Sequence, residues 1–327
     1  MDANVTSPIS IDAEQAQKQS AELTILGAGA WGTALASLVE KNDHTVCLWS
    51  RRSEMSLAEA VQDAHVILSA ISMKGVPSVA KQLKELNIPP ETILVTATKG
   101  LDPETTRTPS QIFHDTFPDN PVVVLSGPNL SKEIDRGLPA ATVAASLHPE
   151  AAEAVQYLFS SDTFRVYSSP DPLGAELGGT LKNVIAIAVG ICEGLDLGSN
   201  ARSALMTRAL PEMIRIGTHL GGQAETFVGL SGLGDMLATC TSVLSRNYRV
   251  GYGLAQGKSL DQILEELGST AEGVNTTNVL VKIANREGIP VPISRQVYRL
   301  LNGKITPQEA VEALMERDLK AEACLLT

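Results

Sequence analysis

LTILGAGAWGTALASLV, residues 23–39, decides the fold. LTIL has the apolar, β-rich composition of a short buried strand. GAGAWG then fits G-x-G-x-x-G through Gly27, Gly29 and Gly32, and TALASLV continues with a helical pattern. Each glycine answers a physical need: a tight turn, room for backbone to approach a pyrophosphate, and close packing of helix on strand. A helix starting at Ala30 aims free N–H groups at an anion. The stretch therefore predicts a dinucleotide site formed by Gly27, Gly29, Ala30, Trp31 and Gly32. A glycine turn that binds nothing is the bland alternative. The strand before and the helix after favour the site.

Working outward, short β-rich runs alternate with helical stretches. VCLWS (46–50), HVILSAIS (65–72), TILVTAT (92–98) and PVVVLSG (121–127) read as strands, with helices over 30–41, 75–86 and 104–116. ATVAAS (141–146) and FRVYSS (164–169) extend the series around a helix over 149–159. That alternation indicates a parallel α/β sheet. After SSPDPLG the pattern turns helical: 176–192, 201–219, 224–240, 260–267, 272–287, 293–301 and 307–320. Thr306, Pro307 and Glu309 form a helix-start signature for the last of these. The fold class is α/β: an N-terminal Rossmann dinucleotide-binding domain (21–170) plus an all-helical C-terminal domain (171–327), behind a leader over 1–20.

The end of the second strand speaks to cofactor choice. About 20 residues after the glycines, NAD sites place an Asp or Glu on the ribose 2′-hydroxyl. Here the positions hold Ser50, Arg51 and Arg52. Guanidinium groups bind a 2′-phosphate that a carboxylate repels, which favours NADPH. Arg52 has a second option, stacking on adenine. Ser50 serves either cofactor, so NADH use stays open. An exposed arginine pair beside Glu54 is the bland alternative.

Composition narrows the function classes. The chain has 327 residues, 43% hydrophobic and 19% charged, with a formal net charge of −11. That charge argues against non-specific nucleic-acid binding. Cys47, Cys192, Cys240 and Cys324 make no C-x-x-C pair, and the five histidines show no metal spacing, so no metal is expected and a reducing, cytoplasmic compartment fits. The longest apolar run, VIAIAVGIC, has nine residues, too few to span a bilayer.

Catalytic candidates lie downstream. Lys182 sits inside the apolar helix GGTLKNVIAIAVG, with Ile185, Ala186 and Val189 on its face. Its amine either snorkels to water or faces a cleft, where desolvation lowers its pKa and fits it to protonate a developing alkoxide. Asn183 beside it suits a substrate hydroxyl or helps shape the helix. Lys99 follows TILVTAT at the sheet edge where such folds expose ligands, and a turn lysine is its bland reading. Asp235 and Thr239 share a helix face; Asp235 either holds Lys182 or is a dipole-favoured helix-start acid. SRN (245–247) offers Arg246 and Asn247 as a phosphate clamp.

The combined strings GAGAWGTALA, VTATKGL, SGP, FRVYSS, LKNVIAIAVGICEGLDLGSNARSALMTRAL, GLSGLGDMLATCTS, SRN and AEGVNTT resemble, in order, the bacterial-type NAD(P)-dependent glycerol-3-phosphate dehydrogenases. The resemblance runs from about residue 22 to 320. It implies a usually cytosolic homodimer that reduces dihydroxyacetone phosphate to sn-glycerol 3-phosphate for phospholipid synthesis, using NADPH or NADH. It assigns acid–base work to Lys182. It places Lys99, Asn183, Asp235, Thr239, Arg246 and Asn247 around substrate, Arg246 also near the cofactor, and Glu272 near the nicotinamide end. Ser126 and Gly127 begin the substrate-side loop.

Two departures stand out. Only SRRSEMSLAEAVQDA separates VCLW from HVILSA, where family members carry a longer insert, so a normal helix is expected to be largely missing. SGPNLSKE replaces the usual SGPxFAxE, with Leu130 and Ser131 for Phe and Ala. The shortening motivates one alternative, a nucleotide-dependent sensor that has lost catalysis. The other is a β-hydroxyacid dehydrogenase or ketopantoate-reductase-like enzyme, against which SRN and the KNVIAIAVG block argue.

Overall fold

The computed structural model describes residues 23–268 and 270–319. The leader over 1–20, residue 320 and Cys324 lie outside the described residues. Seven strands form one sheet in the order β2-β1-β3-β4-β5-β6-β7. They are β1 (Leu23–Leu26), β2 (Val46–Trp49), β3 (Val66–Ser69), β4 (Ile93–Thr96), β5 (Val122–Ser126), β6 (Ala140–Ser146) and β7 (Phe164–Ser169). β2 lies on one side of β1 and β3 on the other, so the order reverses there. That switch point opens a crevice at the strands' carboxyl ends. Register keeps those ends level, with Leu26 opposite both Trp49 and Ser69.

The expectation of a wholly parallel sheet needs correction. β1 to β5 are parallel, but β6 runs antiparallel to β5 and carries a parallel β7. Residues 127–139 link β5 to β6 and hold one five-residue helix, Ser131–Asp135. That helix is far shorter than the crossover helix that usually returns the chain for a parallel strand.

Helices cover both faces of the sheet, each closing an apolar layer. Leu35, Val39, Val155 and Phe159 pack on one face; Met73, Val76, Leu83 and Phe113 on the other. The expected helix over 104–116 starts later, at Pro109–Thr116, because Thr108 caps it in a capping box with Gln111. The short link after β2 still builds a five-residue helix, Leu57–Val61, capped by Ser56 and Glu59. Its Leu57, Ala60 and Val61 are buried against the sheet.

The helical half is organised around Pro172–Gly194, which starts two residues after β7 with Asp171 as cap. Residues 174–192 of it are all buried. Each buried Val, Ile or Leu there contributes roughly 1.5–3 kcal/mol. The helix is long and apolar enough to cross a bilayer, yet its apolar window is wholly buried in the protein. A helix absent from the sequence reading, Arg246–Ala255, crosses it at close range. Gly190 and Gly251 permit this: a Cβ on either would come within about 2 Å of a carbonyl oxygen on the other helix.

The expected single helix over 224–240 is broken. It consists of Ala224–Val228, a π-type turn over Leu230–Gly234, and Asp235–Cys240. Gly229, Gly232 and Gly234 make the break affordable, since a Cβ on Gly232 would sit 2.1 Å from the Phe227 carbonyl oxygen. Beyond it, Leu260–Leu267, Glu272–Glu287 and Pro292–Leu301 follow. The last helix, Pro307–Met315, starts with the Thr306–Glu309 capping box expected of it.

Candidate active site

The three glycines divide their labour as the motif predicts. Gly27 has φ +121 and donates its N–H to the Trp49 carbonyl at 2.8 Å. A Cβ on Gly32 would lie 1.8 Å from the Gly27 oxygen, so helix Ala30–Glu40 packs onto the turn only through glycine. A Cβ on Gly29 would meet nothing within 4 Å. Gly29 and Ala30 are exposed, and no side chain caps the helix start. The result is an open cradle of backbone N–H groups at a positive helix end, which fits a pyrophosphate.

Ser50, Arg51 and Arg52 leave β2 beside this cradle. The turn is tied internally: Ser50 N–H donates to Ser53 Oγ at 2.9 Å and Arg52 N–H to Ser50 Oγ at 3.2 Å. Trp49 Nε1 donates to the Met55 carbonyl at 3.0 Å, bracing the turn from below. Both arginines are exposed, and among the described residues neither pairs with Glu54 or any other carboxylate. Among the described residues, two unpaired guanidinium groups thus stand at the end of β2.

Across the crevice, three charged groups from both halves converge. Asp235 is 1% exposed and accepts from Lys182 Nζ at 2.7 Å through Oδ1 and from Lys99 Nζ at 2.5 Å through Oδ2. Lys182 Nζ also donates to Thr239 Oγ1, which lies one turn from Asp235 and donates to it at 3.2 Å. Lys182 therefore does not snorkel. Burial holds its pKa down to about 8, partly offset by the Asp235 charge, while nearby Lys99 lowers it further. Lys99 donates as well to the Gly127 carbonyl at 3.3 Å. Asp235 is also the first residue of its helix, directly after the π-type turn. The π-type turn delivers it: Ser231 Oγ donates to the Ser126 carbonyl at 3.0 Å, and Gly178 admits the Ser231 backbone.

Other sequence candidates fall into place unevenly. Asn183 is buried on the same helix, one position after Lys182. The Ser126 hydroxyl is buried and unpartnered next to the Lys99 stem. Gly127 allows β5 to close on β6, since a Cβ would lie 2.8 Å from Thr142 Cα. SRN proves to be a helix start: Ser245 caps the helix whose first residue is the exposed Arg246. Asn247 is only half available as a clamp, because its Oδ1 accepts Gly273 N–H at 3.0 Å. Glu272 reaches across to Met73 N–H at 3.4 Å; burial raises its pKa, and the Met73 bond and Arg246 pull it back. Lys132 and Glu133 are exposed on Ser131–Asp135. No cluster of three metal-ligating side chains occurs among the described residues.

The sequence reading missed the Arg246–Ala255 helix. Its signals were present: Ser245 as a cap, and small residues four apart in both crossing partners, Gly190/Gly194 and Gly251/Ala255.

Comparison with known proteins adds three findings. A family model described as NAD-dependent glycerol-3-phosphate dehydrogenase N-terminus matches residues 22–56 and 52–152, and its C-terminus counterpart matches 171–312. The N-terminal match breaks where the chain runs short after β2. The NAD(P)+ glycerol-3-phosphate dehydrogenase of Acaryochloris marina is 70% identical over 302 residues, 92% of this chain and 97% of that protein. That of Synechocystis is 66% identical over 301 residues, covering 92% and 95%. The crystal structure of glycerol-3-phosphate dehydrogenase from Coxiella burnetii superposes with a TM-score of 0.88 at 34% identity, covering 91% of this chain and 99% of that one.

Proposed function

The chain belongs to the NAD-dependent glycerol-3-phosphate dehydrogenase family, and from that premise we propose that it reduces dihydroxyacetone phosphate to sn-glycerol 3-phosphate, with NADPH preferred over NADH. A bound reduced nicotinamide supplies the hydride that C2 receives. The cradle at Gly27, Gly29 and Ala30 would hold its pyrophosphate, with Arg51 at the 2′-phosphate and Arg52 there or over the adenine.

The single observation that carries the reading is the buried Lys182–Asp235–Lys99 bridge at the sheet edge. Lys182 delivers a proton to the C2 oxygen. A pKa of about 8 leaves it protonated at neutral pH yet willing to give that proton up. Asp235 holds both ammonium groups in fixed positions. Lys99 adds a second positive charge against the negative charge developing on oxygen. Asn183, beside Lys182, meets a substrate hydroxyl, and the Ser126–Gly127 turn lines the same side. Arg246 and the free amide end of Asn247 face the substrate phosphate. Unphosphorylated dihydroxyacetone would leave those donors unpaired and is rejected.

We read the chain as a cytoplasmic homodimer serving glycerophospholipid synthesis. Free thiols at Cys47, Cys192 and Cys240 suit a reducing compartment. Exposed Val243, Leu244 and Leu237 on the helical half offer apolar surface to a second copy.

Initial rates with dihydroxyacetone phosphate, dihydroxyacetone and a 2-keto acid, each with NADPH and NADH, test the reading. Turnover of the phosphorylated ketone alone, with the lower KM for NADPH, is expected. Turnover of the keto acid alone would favour the β-hydroxyacid class. Cofactor binding with no reduction would favour the sensor.

A further inference from the structure

Helix Pro172–Gly194 presents Glu176, Gly179, Thr180 and Asn183 along one face, at helical spacing. The first three each receive part of one segment, residues 99–110, which follows β4. The Lys99 stem lies along Gly179, where a Cβ would be 3.2 Å from Lys99 Cε and 2.5 Å from Ser126 Oγ. Gly100 N–H donates to Thr180 Oγ1 at 3.1 Å. Ser110 N–H donates to the Glu176 carboxylate at 3.0 and 3.2 Å, and the Ser110 hydroxyl donates to it too. From helix Glu272–Glu287, Asn275 Nδ2 donates to the Leu101 carbonyl at 2.8 Å. The segment belongs to the Rossmann half by sequence, yet it is fastened to the helical half.

The point of attachment matters for geometry. Gly100 has φ +153, and a Cβ there would lie 2.8 Å from Met73 Cβ. Only glycine fits one residue after Lys99, and the place where Gly100 N–H is held sets where Lys99 points. Thr180 is fully buried and stands two residues before Lys182 on the same helix.

We propose that Thr180 is a positioning residue that, with Glu176 as second anchor, ties the Lys99-bearing segment to the helix carrying Lys182 and so sets the spacing of the two ammonium groups Asp235 bridges. This rests on the reading of Lys99 and Lys182 as reacting groups. Thr180 is fully buried and acts through Lys99.

Thr180→Val keeps the shape and removes the acceptor, and Thr180→Ser keeps the acceptor. Thr180→Val lowers kcat about ten-fold with cofactor KM unchanged, while Thr180→Ser stays within about two-fold of wild type. Amide hydrogen exchange at Gly100 and Leu101 quickens in Thr180→Val and not in Thr180→Ser, with residues 184–192 unchanged. In a Lys99→Met background, Thr180→Val causes no further loss of kcat, because the group it positions is gone. Should Thr180→Val fail to fold, Asn275→Ala releases the same segment from the second helix and is expected to quicken the same amides. Wild-type exchange at Gly100 and Leu101 in the folded variant, or a fully multiplicative loss in the Lys99→Met background, overturns the proposal. A wild-type enzyme without activity on dihydroxyacetone phosphate would instead remove the reading of the reacting groups, and the exchange comparison would still judge the fastening.

Discussion

Raising the pH through the titration of Lys182 separates the two directions of the reaction. Lys182 is 6% exposed, and burial brings its amine's pKa to about 8 from an ordinary 10.5. Reduction needs the protonated amine; oxidation of glycerol 3-phosphate needs the neutral one. Between pH 7 and pH 9 the protonated fraction falls from about nine-tenths to about one-tenth, so kcat/KM for reduction drops about ten-fold and for oxidation rises by a similar factor. Asp235→Asn sharpens the test. It removes the charge that offsets desolvation and leaves the repulsion of Lys99, so the limb moves to lower pH and reduction at pH 7 slows. The assay is the initial change in reduced-nicotinamide absorbance across the pH series in both directions. A reduction rate flat to pH 9, or an Asp235→Asn limb at higher pH, refutes the assignment of Lys182 as proton donor.

Other outcomes follow from the same geometry. Arg51→Ala raises the KM for NADPH about ten-fold and leaves that for NADH nearly unchanged, since the lost contact is to the 2′-phosphate; equal effects on both remove that argument. Gly29→Ala weakens cofactor binding without moving Tm, because its Cβ meets only open space, whereas Gly32→Ala lowers stability by about 3 kcal/mol through the clash with the Gly27 oxygen; a denaturation series with and without cofactor distinguishes them. Burial pushes the Glu176 carboxyl up to about 7 from 4.5. The folded state keeps a proton there that the unfolded chain releases, so this stabilisation is complete below about pH 4.5 and lost as pH rises through about 7. Glu176→Gln, which cannot ionise, flattens that part of the Tm–pH curve, and an unchanged slope counts against it.

Local chemistry was legible from the start. The glycine spacing, the strand before it and the helix after it involve neighbours in the chain. Thr306, Pro307 and Glu309 likewise announced a helix start from four consecutive positions. Lys182 in an apolar helix posed a choice between water and cleft that composition could not close. What escaped was non-local. The break at Gly229–Gly234 serves the approach of Ser231 to β5, and β6 pairs antiparallel with β5 through partners far apart in the chain. Asn247 looked like a free clamp, yet half its amide is spent on a helix start 26 residues away.

The sequence alone determined a Rossmann cradle, a helical second half, a cofactor turn with arginines in place of a carboxylate, and the family. Those features rest on short-range backbone geometry and on residue types at fixed spacing. Tertiary structure alone decided that one carboxylate bridges two lysines separated by 83 positions, and that the Lys99 segment is held by the opposite half through Thr180 and Glu176. The physical reason is desolvation. A charge or N–H group taken from water must find a partner, and which partner is within reach depends on how the two halves pack, not on the order of residues along the chain.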